Sequence, residues 1–516
     1  MKPSLWAGAA ALILVLSLSL GSFGVVVARA EGFAGLGPAD WAALRFTLWQ
    51  AAVSAGLSCL LAIPVARALA RRRFYGRNLM ITALGAPFLL PTIVAIIGLL
   101  AVFGRSGLIN SGLEGLGLPK IAIYGPQGVI TAHVFLNLPL AVRLLLNGWA
   151  GVPAERFRLA ASLDLCTRDI ARLIERPMLR QTLPGAALAI FLICLTSLAV
   201  ALTMGGGPRA TTLELAIYQA FRLDFDLAHA ASLAGAQMAL SLVTALVCLG
   251  AISAAGFGAG LDRPVERWDA GHWFLRGTDG LWLVLTCSFL LVPLSLVLAS
   301  GLPQIAGLPA SVWPALGRSL VIALGATVLA LGLALALGLM ISDLRPHPAR
   351  MVDAAVMLML TVSPLVLGTG LFLILRPITN PVAWALWVTG LVNAAMALPF
   401  CLRAILPALR DIRTDYDRLA ESLDMNGFAR LRWVILPRLR RPLGFAGGLA
   451  AALSMGDLGV VTLFADPARA TLPMKVYALS SAYRIDQAAG AAVLLMVVSF
   501  GLFWTFDRWG RRDAAT

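Results

Sequence analysis

The chain has 516 residues, of which 59% are hydrophobic and only 13% are charged. A soluble domain carries about 25% charged residues, so the composition excludes a water-exposed globule and implies a surface that faces lipid. The formal charge of +15 is spread over short loops beside apolar runs, which reads as membrane topology and not as nucleic-acid binding.

Apolar runs of about 20 residues, enough to cross a bilayer, recur along the whole chain. Lipid offers the backbone no hydrogen bonds, so such runs are helices or strands of a closed barrel, and these are too long and uniformly apolar for barrel strands. In chain order the first half predicts helices over about 5–29, 43–69, 79–103, 122–147, 184–204 and 228–256. The first ends at Ala28-Arg29-Ala30, which resembles a cleavage site. Its apolar stretch exceeds the usual core of about 7–15 residues and reads as an uncleaved anchor. A polar stretch with Asp262-Arg263-Pro264 and Glu266-Arg267 reads as a linker over 257–280. The second half predicts helices over about 281–300, 316–342, 352–375, 382–405, 443–464 and 487–507. The expected fold class is an all-α membrane protein of about twelve transmembrane helices in two six-helix halves.

With the N-terminus in the cytoplasm, the basic residues fall mostly on that side: Arg71-Arg72-Arg73, the 148–183 loop, Arg345 and Arg350, the 406–442 loop, and Arg508, Arg511 and Arg512. The imbalance is roughly threefold and predicts cytoplasmic N- and C-termini. Cys59, Cys166, Cys194, Cys248, Cys287 and Cys401 contain no Cys-x-x-Cys pair, and the four His are scattered, so neither a disulfide framework nor a metal site is expected. No catalytic constellation is expected.

The two polar loops share one pattern. Arg158-Leu159-Ala160-Ala161-Ser162-Leu163-Asp164 leads to Pro177, and Arg418-Leu419-Ala420-Glu421-Ser422-Leu423-Asp424 leads to Pro437 at the same spacing. Adding 260 also pairs Pro139 with Pro399, Arg143 with Arg403, Arg172 with Arg432, Arg209-Ala210-Thr211 with Arg469-Ala470-Thr471, and Asp226 with Asp486; nearer the N-terminus the offset is about 272. Six spans per half is an even number, so the repeats are parallel and related about an axis along the membrane normal. Each loop predicts an amphipathic helix, with Leu159, Leu163, Cys166 and Ile170 on one face of the first and Leu419 and Leu423 on one face of the second. Pro177 and Pro437 should kink or end these helices. Such elements suit docking of a cytosolic partner, whereas a helix merely lying on anionic lipid requires no matched Asp-to-Pro spacing.

The loops resemble the EAA loops of type I ABC importer permeases, a pattern of Glu-Ala-Ala, three residues, Gly, and a Pro thirteen positions later. Arg158 and Arg418 stand at the Glu position, Leu159-Ala160 and Leu419-Ala420 at the Ala positions, Asp164 and Asp424 at the Gly, and Pro177 and Pro437 match. The namesake Glu and Gly are absent while spacing and hydrophobic frame are kept. The run Gly205 to Tyr218, His133-Val134-Phe135-Leu136-Asn137-Leu138-Pro139, and Ser454-Met455-Gly456-Asp457-Leu458-Gly459 are similar to segments of fused thiamine importer permeases. The resemblance spans nearly the whole chain. It implies an anchor and outer segment at 1–42, a first permease domain at 43–256, the linker, a seventh span and loop at 281–315, a second permease domain at 316–507, and a cytoplasmic tail at 508–516. It further implies a bacterial inner-membrane importer for thiamine and its phosphate esters, working with a periplasmic thiamine-binding protein and two copies of a cytosolic ATPase. ATP-Mg would be used by that ATPase and no cofactor bound here, since the chain has no Gly-x-x-x-x-Gly-Lys-[Ser/Thr] loop. A ferric-iron or polyamine permease is the alternative substrate reading. A secondary transporter would need ionisable residues at mid-span for ion coupling, and a membrane enzyme a polar cluster at one face.

Several residues have two readings. Asp457 could meet a cationic substrate, or be wet or paired near the membrane surface. His133 and Asn137 share a helical face and could line the pathway or hydrogen-bond between helices. Gly206, Gly207, Arg209, Thr211 and Thr212 lie in a turn that could touch the binding protein or only shape a loop. Asp226 and Asp486 read as helix caps. Asp164 and Asp424 should hold the turn despite replacing Gly, because Asp tolerates left-handed geometry.

Overall fold

The computed structural model describes residues 3–29, 36–77, 80–81, 84, 90–251, 272–357, 359, 362–425, 427–464 and 469–511. Every regular element among them is helical. The first half contains α1 (Pro3–Leu16) and α2 (Ser22–Arg29), joined by a π turn, then α3 (Pro38–Arg71), α4 (Thr92–Phe103), α5 (Pro126–Ala150), α6 (Ala154–Ser162), α7 (Arg176–Leu195), α8 (Leu198–Met204), α9 (Leu213–Arg222) and α10 (Leu227–Ala251). The second half repeats the order with α11 (Trp273–Gly301), α12 (Val312–Asp343), α13 (Pro364–Leu375), α14 (Ala385–Ser422), α15 (Leu436–Met455), α16 (Gly459–Phe464), α17 (Leu472–Ser481) and α18 (Ile485–Arg511).

Among the described residues, eleven helices are long and apolar enough to cross a membrane, and α13 is a shorter apolar helix in place of the expected span 352–375. Its start has a local cause. Pro364 takes the first helical position, and the Ser363 hydroxyl accepts from the N–H groups of Leu365 and Val366 at 3.1 and 3.4 Å. The seventh span starts earlier than 281, at Trp273. Asp262-Arg263-Pro264 and Glu266-Arg267 of the expected linker lie outside the described residues.

Each half lends its first span to the other. α1 packs on α12 and α2 on α13, while α11 packs on α3 and α4; α2 and α11 also touch the last helix of their own half. Glycines 272 residues apart make both crossings possible. A Cβ on Gly98 of α4 would stand 2.9 Å from the Pro293 carbonyl oxygen, and one on Gly370 of α13 would stand 2.5 Å from Ser22 Cβ. Pro293 and the π turn before Ser22 each loosen the helical ladder at the same place. The seventh span is fixed electrostatically as well. Asp279 accepts from Arg71 at 2.6 and 3.0 Å and from Arg72 at 2.7 Å. The two buried hydrophobic clusters both mix the halves: Leu472 and Val476 pack with first-half helices, and Leu213 and Ile217 with second-half helices.

Equivalent hydroxyls hold equivalent helices. Thr47 Oγ1 accepts from the Leu213 N–H at 2.9 Å, and Ser319 Oγ from the Leu472 N–H at 2.8 Å. These bonds correct one pairing. Thr212 and Thr471 are the N-caps of α9 and α17, so the helices align at an offset of 259, and Arg469 corresponds to Ala210 instead of Arg209.

Candidate functional site

The two polar loops form matched feet at the ends of helical shafts. In the first, α6 ends in a Schellman turn: the Leu165 N–H donates to Ala160 O at 3.0 Å and the Asp164 N–H to Ala161 O at 3.1 Å. In the second, Met425 donates to Ala420 O at 2.8 Å and Asp424 to Glu421 O at 3.1 Å. Asp164 and Asp424 both have φ of 49°, the left-handed geometry for which Gly is the usual choice and Asp a tolerated one.

The turn divides the face expected from Leu159, Leu163, Cys166 and Ile170. Because α6 stops at Ser162, Ile170 falls on the next helical segment and is buried, while Leu159 and Leu163 are each 61% exposed and Cys166 is also exposed. Leu419 and Leu423 are 53% and 63% exposed. Ala160 and Ala420 are buried beneath them, and Arg158 and Arg418 are exposed beside them. Each foot thus offers an apolar ridge flanked by a guanidinium. Exposed apolar ridges of this kind mark contact surfaces. Leu173 and Trp433, also exposed and 260 residues apart, extend the ridges; applying the repeat offset to apolar residues within the charged loops would have found them.

After each foot the chain is helical again and passes through one π turn, Ala171–Glu175 or Leu431–Ile435. Pro177 and Pro437 follow at the second positions of α7 and α15. Of the two expected outcomes, a kink or an end, the end does not occur: the chain stays helical through both prolines. The widened turn spares the ring its clash with the carbonyl four residues back.

Beyond α7 and α15 the helices break. In the first half the freed carbonyls of Cys194 and Leu195 accept from Gln50 Nε2 at 3.0 Å and Gln237 Nε2 at 2.9 Å. In the second half Asp457 caps α16, accepting from the Gly459 N–H at 3.0 Å. With its amide nitrogen turned toward Asp457, Asn393 donates to Asp457 Oδ2 at 3.1 Å and accepts from Ser454 Oγ at 2.9 Å. Backbone freed inside a membrane must be satisfied in this way by neighbouring protein groups.

Asn137 is buried and donates to His133 O at 2.9 Å and to Cys194 Sγ at 3.4 Å on α7. The His133 ring is 2% exposed, with neither nitrogen hydrogen-bonded. The glycine run is a turn at the end opposite the feet. Gly206 and Gly207 have φ of 64° and 139°, and Gly206, Gly207 and Arg209 are exposed while Thr212 is buried as a cap. Asp226 caps α10 by accepting from the His229 N–H at 2.9 Å, whereas Asp486 lies in the first turn of α18. No group of metal-ligating residues occurs among the described residues.

No protein-family model matches the chain. Among curated proteins, it is 40% identical over 480 residues to the thiamine transport system permease protein ThiP of Brucella abortus, covering 91% of this chain and 87% of that protein. It is 38% identical over 492 residues to the protein of the same name from Escherichia coli, covering 92% and 90%. The molybdenum transport system permease protein ModB of Mycobacterium bovis is 32% identical over 215 residues, which is 79% of ModB but 41% of this chain.

Proposed function

The chain belongs to the thiamine transport system permease family, and from that premise we propose that it is the membrane subunit of an ATP-driven importer for thiamine and its phosphate esters. The observation that carries the mechanism is the doubled foot: two identical Schellman turns, each beneath an exposed leucine pair, at the same place in two parallel halves. One copy of a cytosolic ATPase docks on each foot. The exposed ridge of Leu159 and Leu163, or of Leu419 and Leu423, enters an apolar groove, and Arg158 or Arg418 meets an acidic rim. The buried Ala160 and Ala420 and the left-handed Asp hold each ridge rigidly, so movement of the ATPase becomes movement of α7 and α15 instead of bending the loop.

The feet and both termini lie in the cytoplasm and the protein lies in the bacterial inner membrane, as the distribution of Arg supports. ATP-Mg is bound and hydrolysed by the ATPase. At the opposite side the exposed turn of Gly206, Gly207 and Arg209 receives a periplasmic thiamine-binding protein. The loaded binding protein and ATP-driven closure must favour the same state, since coupling between sites is reciprocal. The mixed cores and exchanged first spans support rocking of the halves as interlocked units.

The test is uptake of labelled thiamine by liposomes containing this chain with its ATPase and binding protein. The expected result is ATP-dependent uptake that thiamine diphosphate competes and ferric iron and polyamines do not. Uptake of iron or a polyamine in preference to thiamine would overturn the substrate assignment.

A further inference from the structure

Where the halves meet, at the end away from the feet, lies an acid that ATPase docking does not use. Glu214, in the first turn of α9, is 1% exposed. α9 packs across the interface on α13 and α16 of the other half. The Ser363 hydroxyl, at the start of α13, hydrogen-bonds the Glu214 carboxyl, while Glu214 Oε1 is buried with no hydrogen-bond partner. Buried polar atoms are nearly always paired, so an orphaned oxygen in a seam between two moving bodies needs an explanation. Burial pushes this carboxyl up to about 7, against the smaller opposing pull of Ser363.

The neighbours have a chemistry in common. Tyr218 lies one turn along the same face of α9, is half-buried, and is within electrostatic range of Tyr477 on α17. By the 259-residue alignment these are equivalent tyrosines. Equivalent positions that meet across two parallel repeats lie beside the axis relating them, which is where a passage between the halves runs. Farther along the seam, Gly459 lies against Pro364, the residue after Ser363, and its N–H binds Asp457. The seam thus joins two carboxyl groups and two aromatic rings.

The duplicated fold does not require the acid. At the related seam, Pro91 occupies the place of Ser363 as the cap of α4, and Pro473 occupies the place of Glu214 in α17. The same helix contact is therefore made there without a polar pair, and Glu214 is an addition at one seam only.

We propose that Glu214, Tyr218 and Tyr477 form a transient binding site, exposed as the outer seam opens, for the positively charged aromatic ring of the substrate. The site rests on the thiamine reading above. An aromatic ring with a fixed positive charge is attracted to tyrosine faces and to a carboxylate. In the closed seam Glu214 is shielded and bonded to Ser363. Opening hydrates it, returns it to the ordinary carboxylate range, and presents a full negative charge only when substrate enters.

The test uses the complete transporter, this chain with its ATPase and binding protein in liposomes. Uptake of thiamine is compared with that of an uncharged analogue in which thiophene replaces the thiazolium. Glu214→Gln keeps the size and the acceptor for Ser363 but removes the charge. The thiamine-to-analogue uptake ratio should fall about tenfold; being measured on one preparation, it is insensitive to the amount of folded chain. Tyr218→Ala and Tyr477→Ala should lower the same ratio by a smaller factor. An unchanged ratio in Glu214→Gln, with wild-type thiamine uptake intact, overturns this site alone. Absence of thiamine uptake by the wild-type chain overturns the importer reading and this site together.

Discussion

The two halves deliver the same foot on different shafts. In the first, α5 ends at Ala150, the chain turns through Gly151, Val152 and Pro153, and the separate helix α6 carries the leucines. In the second, α14 runs unbroken from Ala385 to Ser422. At the offset of 260, Pro153 aligns with Arg413. Proline has no N–H to continue a helix. Arg413 continues it and also braces it, donating to both oxygens of Asp343 at 2.6 and 3.0 Å. The first leg takes its brace elsewhere, from Arg67 to Glu175 at 2.8 Å. The turn, the left-handed Asp, the exposed leucine pair and the π turn do not differ. Within one chain the shafts differ and the feet match, which is what the proposed docking of one ATPase copy on each foot requires.

Substitutions that exchange the shafts test this division. Arg413→Pro should have the largest effect, about 3 kcal/mol or more, because it places a proline inside α14 and removes the brace to Asp343. The thermal unfolding midpoint of the purified chain should drop accordingly. Asp164→Gly should raise stability by up to about 1 kcal/mol, since it relieves a left-handed non-glycine residue; a loss of stability on thermal unfolding would show that the carboxylate itself holds the turn. Pro153→Ala should be the mildest, within about 0.5 kcal/mol, because the first leg already turns outside a helix; hydrogen exchange over 150–163 would show whether α5 and α6 fuse.

The feet were legible in the sequence because their determinants are local. Spacing fixed the turn, and the tolerance of Asp for positive φ predicted the geometry of Asp164 and Asp424. The sequence left open whether Pro177 and Pro437 kink or end their helices, because the π turns placed before them have no sequence signature in a basic loop. The exchange of first spans was hidden because Gly98 and Pro293, or Gly370 and Ser22, meet only in space. The one-residue slip between Thr212 and Thr471 was masked by a chance match of Arg-Ala-Thr at the wrong offset. Nothing in the local sequence singles out Glu214; its burial against Ser363 of the other half sets it apart.

The most direct test of the foot as the coupling element is the double variant Leu163→Arg with Leu423→Arg. Both side chains are more than half exposed, so the amount of protein in the membrane should stay at the wild-type level. The ATPase should no longer co-purify with the chain, and thiamine uptake should fall below about a tenth of wild type, as expected when central apolar contacts are lost. Undiminished uptake with the ATPase still bound would contradict the account.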